Sequence, residues 1–136
     1  MGKILGIDYG DARVGLAITD ALKITVQPMD TLPIHSDSSI LIAKIKEIMN
    51  ETKLEAVVIG YPRHLNGDVS ETAKKVDKVI EEIEALGIKV VKWDERLTTV
   101  MAHKTMKELG IKQKEKKIHA DRLAAMYILE DYINSL

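Results

Sequence analysis

The apolar pattern of this 136-residue chain runs as consecutive strands up to about residue 35 and alternates between helices and strands after it, and that order leaves few folds open. Up to about residue 35 the pattern is that of short strands, at residues 4–8, 14–19 and 24–32. Between the first two lies Tyr9-Gly10-Asp11-Ala12-Arg13, which has the turn chemistry of a hairpin. Pro28 falls inside the third, so that strand belongs at an edge or is bulged there. From Ser36 the period becomes helical, with Leu41, Ile45, Ile48 and Met49 on one face of a helix over residues 36–50. A continuous apolar run at residues 56–59 then reads as a buried parallel strand. A polar loop over residues 60–67 follows. The next helix starts near Asp68, with Glu71 placed to complete a capping box, carries Ala73, Val76, Ile80 and Ile83 on one stripe, and stops at Gly87. Residues 88–93 read as a strand, 97–109 as a helix ending at Gly110, and 120–133 as the last helix.

The order is three strands, then helix, strand, helix, strand, helix, helix. Right-handed crossovers make strands one, four and five parallel neighbours, with the first three as an antiparallel meander on the edge. The expectation is an α/β fold: a five-stranded mixed sheet flanked by helices. With 46% hydrophobic and 30% charged residues and no internal repeat or linker, residues 1–136 read as a single domain. The chain has no cysteine, which excludes disulfides, thiolate catalysis and Cys-based zinc sites. The first residues run straight into a strand without a signal-peptide pattern, and no apolar run approaches the roughly 20 residues a membrane helix needs. The expected location is cytoplasmic, with no membrane partner. A net charge of −1 is compatible with nucleic acid if a local basic patch holds the phosphates.

In open α/β sheets, ligands gather at the carboxyl ends of the parallel strands. Three polar segments sit at those ends: Asp8-Tyr9-Gly10, Gly60-Tyr61-Pro62 and Asp94-Glu95-Arg96. Asp8 ends an apolar strand, where a carboxylate is costly unless a cation offsets its desolvation, although it also reads as the first residue of a hairpin turn. Asp121 shares the stripe of Ala125, Ile128 and Tyr132 on the last helix; its plainer role is a first-turn acid favoured by the helix dipole. Only one of Asp94 and Glu95 can look into a shared site, since neighbours on a strand point to opposite faces; a helix cap, with Thr98 as the competing cap, is the alternative. Three carboxylates at one strand-end edge suit Mg²⁺ or Mn²⁺, and two such ions about 4 Å apart could drive in-line hydrolysis of a phosphodiester.

The segment from Gly60 to Gly67 contains Arg63 and His64 and reads as a loop able to grip phosphate, with Tyr61 as a candidate for stacking on a base. The most basic window, Lys112-Gln113-Lys114-Glu115-Lys116-Lys117, reads as a loop and as the best phosphate contact, against the plainer reading of a solvated surface. The four histidines, at 35, 64, 103 and 119, show no ligand spacing.

Four segments in order carry a family resemblance: Ile7-Asp8-Tyr9-Gly10-Asp11-Ala12-Arg13-Val14-Gly15-Leu16-Ala17, Gly60-Tyr61-Pro62 through Gly67, Asp94-Glu95-Arg96-Leu97-Thr98-Thr99, and Asp121 before an Ala-rich helix. Together they resemble the YqgF family, small bacterial ribonuclease H-like proteins also called RuvX, over essentially the whole chain. The resemblance implies one ribonuclease H-like domain over residues 1–136 and a metal-binding catalytic set of Asp8, Glu95 and Asp121, with Asp94 in reserve. It implies a Mg²⁺- or Mn²⁺-dependent nuclease acting in 5′-end processing of pre-16S rRNA, hence in ribosome biogenesis, or alternatively a Holliday junction resolvase. Partners would be pre-rRNA or branched DNA and a ribosomal precursor particle, with the protein a monomer or a homodimer. Arg13, Arg63 and Arg96, with Thr98, Lys114, Lys116 and Lys117, are the expected substrate contacts. Gly6-Ile7-Asp8-Tyr9-Gly10 also looks like the phosphate loop of sugar kinases and actin-like ATPases, which close two lobes over ATP in a much longer chain. A non-catalytic RNA-binding assembly factor is the third reading.

Overall fold

Residues 3–9 and 13–19 are apolar on both sides of the pleat, as strands covered on both faces must be. The computed structural model, which describes residues 2–61, 71–94 and 113–136 apart from the side chains of Asp94 and 113–122, makes them β1 (Lys3–Tyr9) and β2 (Arg13–Thr19). They pair antiparallel, from Leu5 opposite Ile18 to Tyr9 opposite Val14. The turn between them is tight enough to require Gly10, where a Cβ would stand 2.8 Å from the Arg13 carbonyl oxygen.

The expected third strand is split into β3 (Val26–Pro28) and β4 (Leu32–Pro33), both antiparallel to β2. Each piece ends in a proline, which has no N–H to continue a ladder. The rest follows the expected order: α1 (Ser38–Glu51), β5 (Leu54–Tyr61), α2 (Glu71–Glu84), β6 (Lys89–Asp94) and α3 (Gln113–Asn134). The Asp37 carboxylate caps α1 by accepting from the Ser39 N–H at 3.0 Å. The expected capping box at Asp68 and the helix over 97–109 lie outside the described residues.

The sheet order is β3-β2-β1-β5-β6, with β4 also on β2; β1 and β6 are each parallel to β5. Alternation along β1 divides the core. Leu5, Ile7 and Tyr9 join Leu41, Ile45, Val76 and Ile80 under α1 and α2. Ile4, with Ala17, Ala56 and Val58, lies beneath Ala125, Ile128 and Leu129 of α3. Full burial of side chains the size of Ile128 and Leu129 contributes roughly 1.5–3 kcal/mol each.

In the window expected to be a loop, residues 113–117 are helical instead: they belong to α3, so Lys114, Lys116 and Lys117 stand on a helix. Lys, Glu and Gln are good helix formers, so that stretch needs no apolar stripe. No helix among the described residues is long and apolar enough to cross a membrane.

Candidate active site

Asp8 ends the α3 side of β1. It follows Ile4 and Gly6 at a period of two, so it shares their face and stands half-buried where the apolar strand runs out. Its Cα partner on β2 is Gly15. On the other side, one step beyond the Ile7–Ile59 pair, comes Gly60 of β5. Neither neighbouring strand therefore places a Cβ beside this carboxylate. The motif that carries Asp8 shows Gly15 in sequence, but only the register shows that Gly15 and Gly60 flank the acid. Arg13 opens β2 at the same period as Gly15 and Ala17, which gives it the face of Asp8.

The second acid is positioned by the path of α3. A Cβ at Gly6 would lie 2.9 Å from the Ala125 carbonyl oxygen and 3.1 Å from the Leu129 Cβ, so the helix crosses β1 at Gly6 almost in backbone contact. Farther along, Glu130, Ile133 and Asn134 line a hollow of about 480 Å³ with Ile24, Thr25, Val26 and Gln27. Val26 and Gln27 pair with Thr19 and Ile18 of β2, beside the start of β1. The carboxyl end of α3 thus lies toward Ile4, and the backbone of residue 121, one turn before Ala125, lies toward Asp8.

Glu95, the expected third carboxylate, lies outside the described residues, as do Arg63, Arg96, Thr98 and Thr99. Along β6, Val91 and Trp93 belong to the α3 face, while Val90 packs on the other. Trp93 meets Tyr132 of α3 edge to face, with ring centroids 5.9 Å apart. Among the described residues, no three of His, Cys, Asp and Glu gather into a metal-binding group. His35 is exposed in the turn before α1.

Tyr61 does not join this edge. It follows Val57 and Ile59 onto the α1–α2 face, where its hydroxyl donates to Asp77 Oδ2 at 2.9 Å. Lys92 Nζ pairs with Asp77 Oδ1 at 3.2 Å and sits 4.6 Å from the Tyr61 ring centroid. One face of the ring is thereby taken by a cation, which removes the main argument for Tyr61 as a base-stacking residue.

On that same face, next to Asp8 in sequence, is Tyr9. It is 7% exposed, and burial, reinforced by the Asp11 carboxylate, raises its phenol above the usual range, so it stays protonated at neutral pH. Asp11 itself pairs with Lys75 Nζ of α2 at 2.9 Å.

Comparison with known proteins identifies the fold and the family. Residues 2–135 match the model of the RuvX family, described as Holliday junction resolvase. A protein of Acetivibrio thermocellus named "Putative pre-16S rRNA nuclease" is 42% identical, over 98% of this chain and 96% of its own. One of the same name from Ruminiclostridium cellulolyticum is 41% identical, over 98% and 95%. Among solved structures, Thermus thermophilus RuvC in complex with a Holliday junction substrate superposes with a TM-score of 0.58 at 16% identity, covering 99% of this chain and 96% of that one. The fowlpox virus Holliday junction resolvase gives 0.58 at 12% identity, covering 98% of each. At such identities the structures speak for the fold, which is that of the ribonuclease H-like resolvases. The match over residues 2–135 and the full-length relatives settle the family: the chain belongs to RuvX.

Proposed function

We propose that this protein is a metal-dependent nuclease that trims the 5′ end of pre-16S rRNA, in the cytoplasm, on a ribosomal precursor particle. The observation that carries the reading is Asp8: a half-buried carboxylate at the carboxyl end of a central strand, flanked in the sheet by two glycines. The names of the full-length relatives direct the substrate toward rRNA.

Asp8, Glu95 and Asp121 would hold Mg²⁺ or Mn²⁺. The donors are all carboxylate oxygens, which hard divalent cations prefer, and the glycines leave room beside Asp8 for an ion and a phosphate. The ion would supply an activated water and charge stabilisation at a phosphodiester. Odd positions of β6, Val91 and Trp93, belong to the α3 face, which favours Glu95 over Asp94 as the third ligand. Arg13, on the same face, holds a substrate phosphate; Arg63, Arg96, Thr98, Lys114, Lys116 and Lys117 complete the track. The whole chain, residues 1–136, acts as one ribonuclease H-like domain.

The second reading is a Holliday junction resolvase, favoured by the description of the matching family and by the fold of its structural neighbours. Symmetric cleavage of a junction needs two active sites and therefore a homodimer, whereas trimming one RNA end needs one. A labelled pre-16S 5′-leader RNA and a labelled four-way DNA junction, each incubated with protein and Mg²⁺ or Mn²⁺, decide between them. Cutting of the RNA alone is expected. Cutting of the junction alone, by a dimer, establishes the resolvase. Binding without cutting of either establishes a non-catalytic assembly factor.

A further inference from the structure

Behind the β1–β2 hairpin, on the face opposite Asp8, Tyr9, Asp11, Ser36, Ser38, Lys75 and Lys78 line a cavity of about 220 Å³. Tyr9 is more than nine-tenths buried, yet its hydroxyl has no hydrogen-bond partner among the described residues. A buried hydroxyl without a partner is costly, and its chemistry is that of a donor waiting for an acceptor. The Ser36 and Ser38 hydroxyls likewise have no hydrogen-bond partner among the described residues, and Ser38 is the first residue of α1, where the helix dipole favours negative charge.

The acids nearby are already engaged. The Asp37 carboxylate is held by the Ser39 hydroxyl at 2.6 Å and the Ser39 N–H at 3.0 Å, which lower its pKa, and Asp11 is paired with Lys75. Among the described residues Lys78 has no carboxylate within ion-pairing distance, so it is the cation left over. The wall is built rather than incidental. The Ser36 N–H donates to the Asp11 carbonyl at 2.6 Å, and the Ile34 and His35 N–H groups donate to the Ala12 carbonyl at 3.0 and 3.2 Å. His35 and Ser36 both take left-handed backbone, φ 47° and 65°, to make that turn.

We propose that this cavity binds a phosphate ester, with the Tyr9 hydroxyl and the Ser36 and Ser38 hydroxyls donating to its oxygens and Lys78 supplying the charge. Tyr9 and Asp8 are adjacent on one strand end and face opposite sides of the sheet, so a nucleic-acid strand that rounds the hairpin could place one phosphate at each. That source of the ester rests on the nuclease reading; a free nucleotide does not.

The test is an NMR titration of the full chain with inorganic phosphate and with a 5′-nucleoside monophosphate, following the amides of residues 36–39. Saturable shifts are expected, weakened roughly tenfold in Tyr9→Phe and about threefold in Lys78→Ala. Tyr9→Phe keeps the ring packing and removes only the unpartnered hydroxyl, so its thermal midpoint should equal or exceed that of the natural chain. Asp8→Asn should bind both probes unchanged, which separates this site from the metal site. If Tyr9→Phe also raises KM for a cleaved strand more than it lowers kcat, the ester belongs to the substrate; binding with KM unmoved assigns it to a free nucleotide. No saturable shift with either probe, or equal affinity in Tyr9→Phe, overturns the site, whether or not the protein cuts any substrate.

Discussion

The carbonyl of Ala125 lies over Gly6 so closely that a single Cβ at residue 6 would stand 2.9 Å from its oxygen. That contact fixes the height of α3 above β1, and with it the approach of residue 121 to the end of the strand. The obstacle is backbone, which cannot swing aside as a flexible side chain can. Gly6→Ala should therefore cost about 1–3 kcal/mol in chemical denaturation and lower any Asp8-dependent cleavage at the same time. Full stability and full activity in Gly6→Ala would show that α3 is not held at this height.

Thr19 is the one buried polar side chain in the described core, 1% exposed, and its Oγ1 accepts from the Ile4 N–H at 2.9 Å. The bond sits where the register between β1 and β5 shifts, between Lys3 and Ile4. Thr19→Val keeps the shape but leaves a buried donor without its acceptor, at an expected cost of about 1–3 kcal/mol, whereas Thr19→Ser should retain most of the stability. Denaturant midpoints of the two variants check this.

The turn after β2 is organised by Asp20. Its carboxylate accepts from the Ile24 and Thr25 N–H groups, both at 2.8 Å, and the Thr25 bond is the largest cause of a pKa below the usual carboxylate value. A depressed carboxylate stabilises the fold at and above its ordinary pKa and loses that contribution as pH falls through the lowered folded-state value. Amide exchange at Ile24 and Thr25 should accelerate over that acid range, and Asp20→Ala should show the fast rates already at neutral pH.

Much of this arrangement was legible because it depends on local signals. The hairpin at Gly10, the helix stop at Gly87 and the order of the parallel strands follow from turn chemistry and crossover handedness. Three features did not follow. The third strand breaks at Pro28, because a proline announces an interrupted ladder without saying where pairing resumes. The lysine-rich part of α3 looks like a loop, because Lys114 to Lys117 hold a helix by propensity rather than by an apolar stripe. Tyr61 looks like a base-stacking residue until its strand parity is known, and the register that turns it toward Asp77 is set by β5 against β1 and β6. The same holds for the site: Asp8 is visible as an acid ending a strand, but Gly15 and Gly60 become its neighbours only through pairing across the sheet.

The central claim is that Asp8 serves metal-dependent cleavage rather than the hairpin. Single-turnover cleavage of the pre-16S 5′-leader by Asp8→Asn, with Mg²⁺ or Mn²⁺ and with RNA affinity measured on the same samples, tests it most directly. The substitution keeps the size of the side chain and removes the charge. A loss of at least about a hundredfold in rate, with RNA affinity and folding unchanged, is the expected result. A natural chain that cuts the leader, with Asp8→Asn cutting it at the same rate, would contradict the account and leave Asp8 as a turn residue.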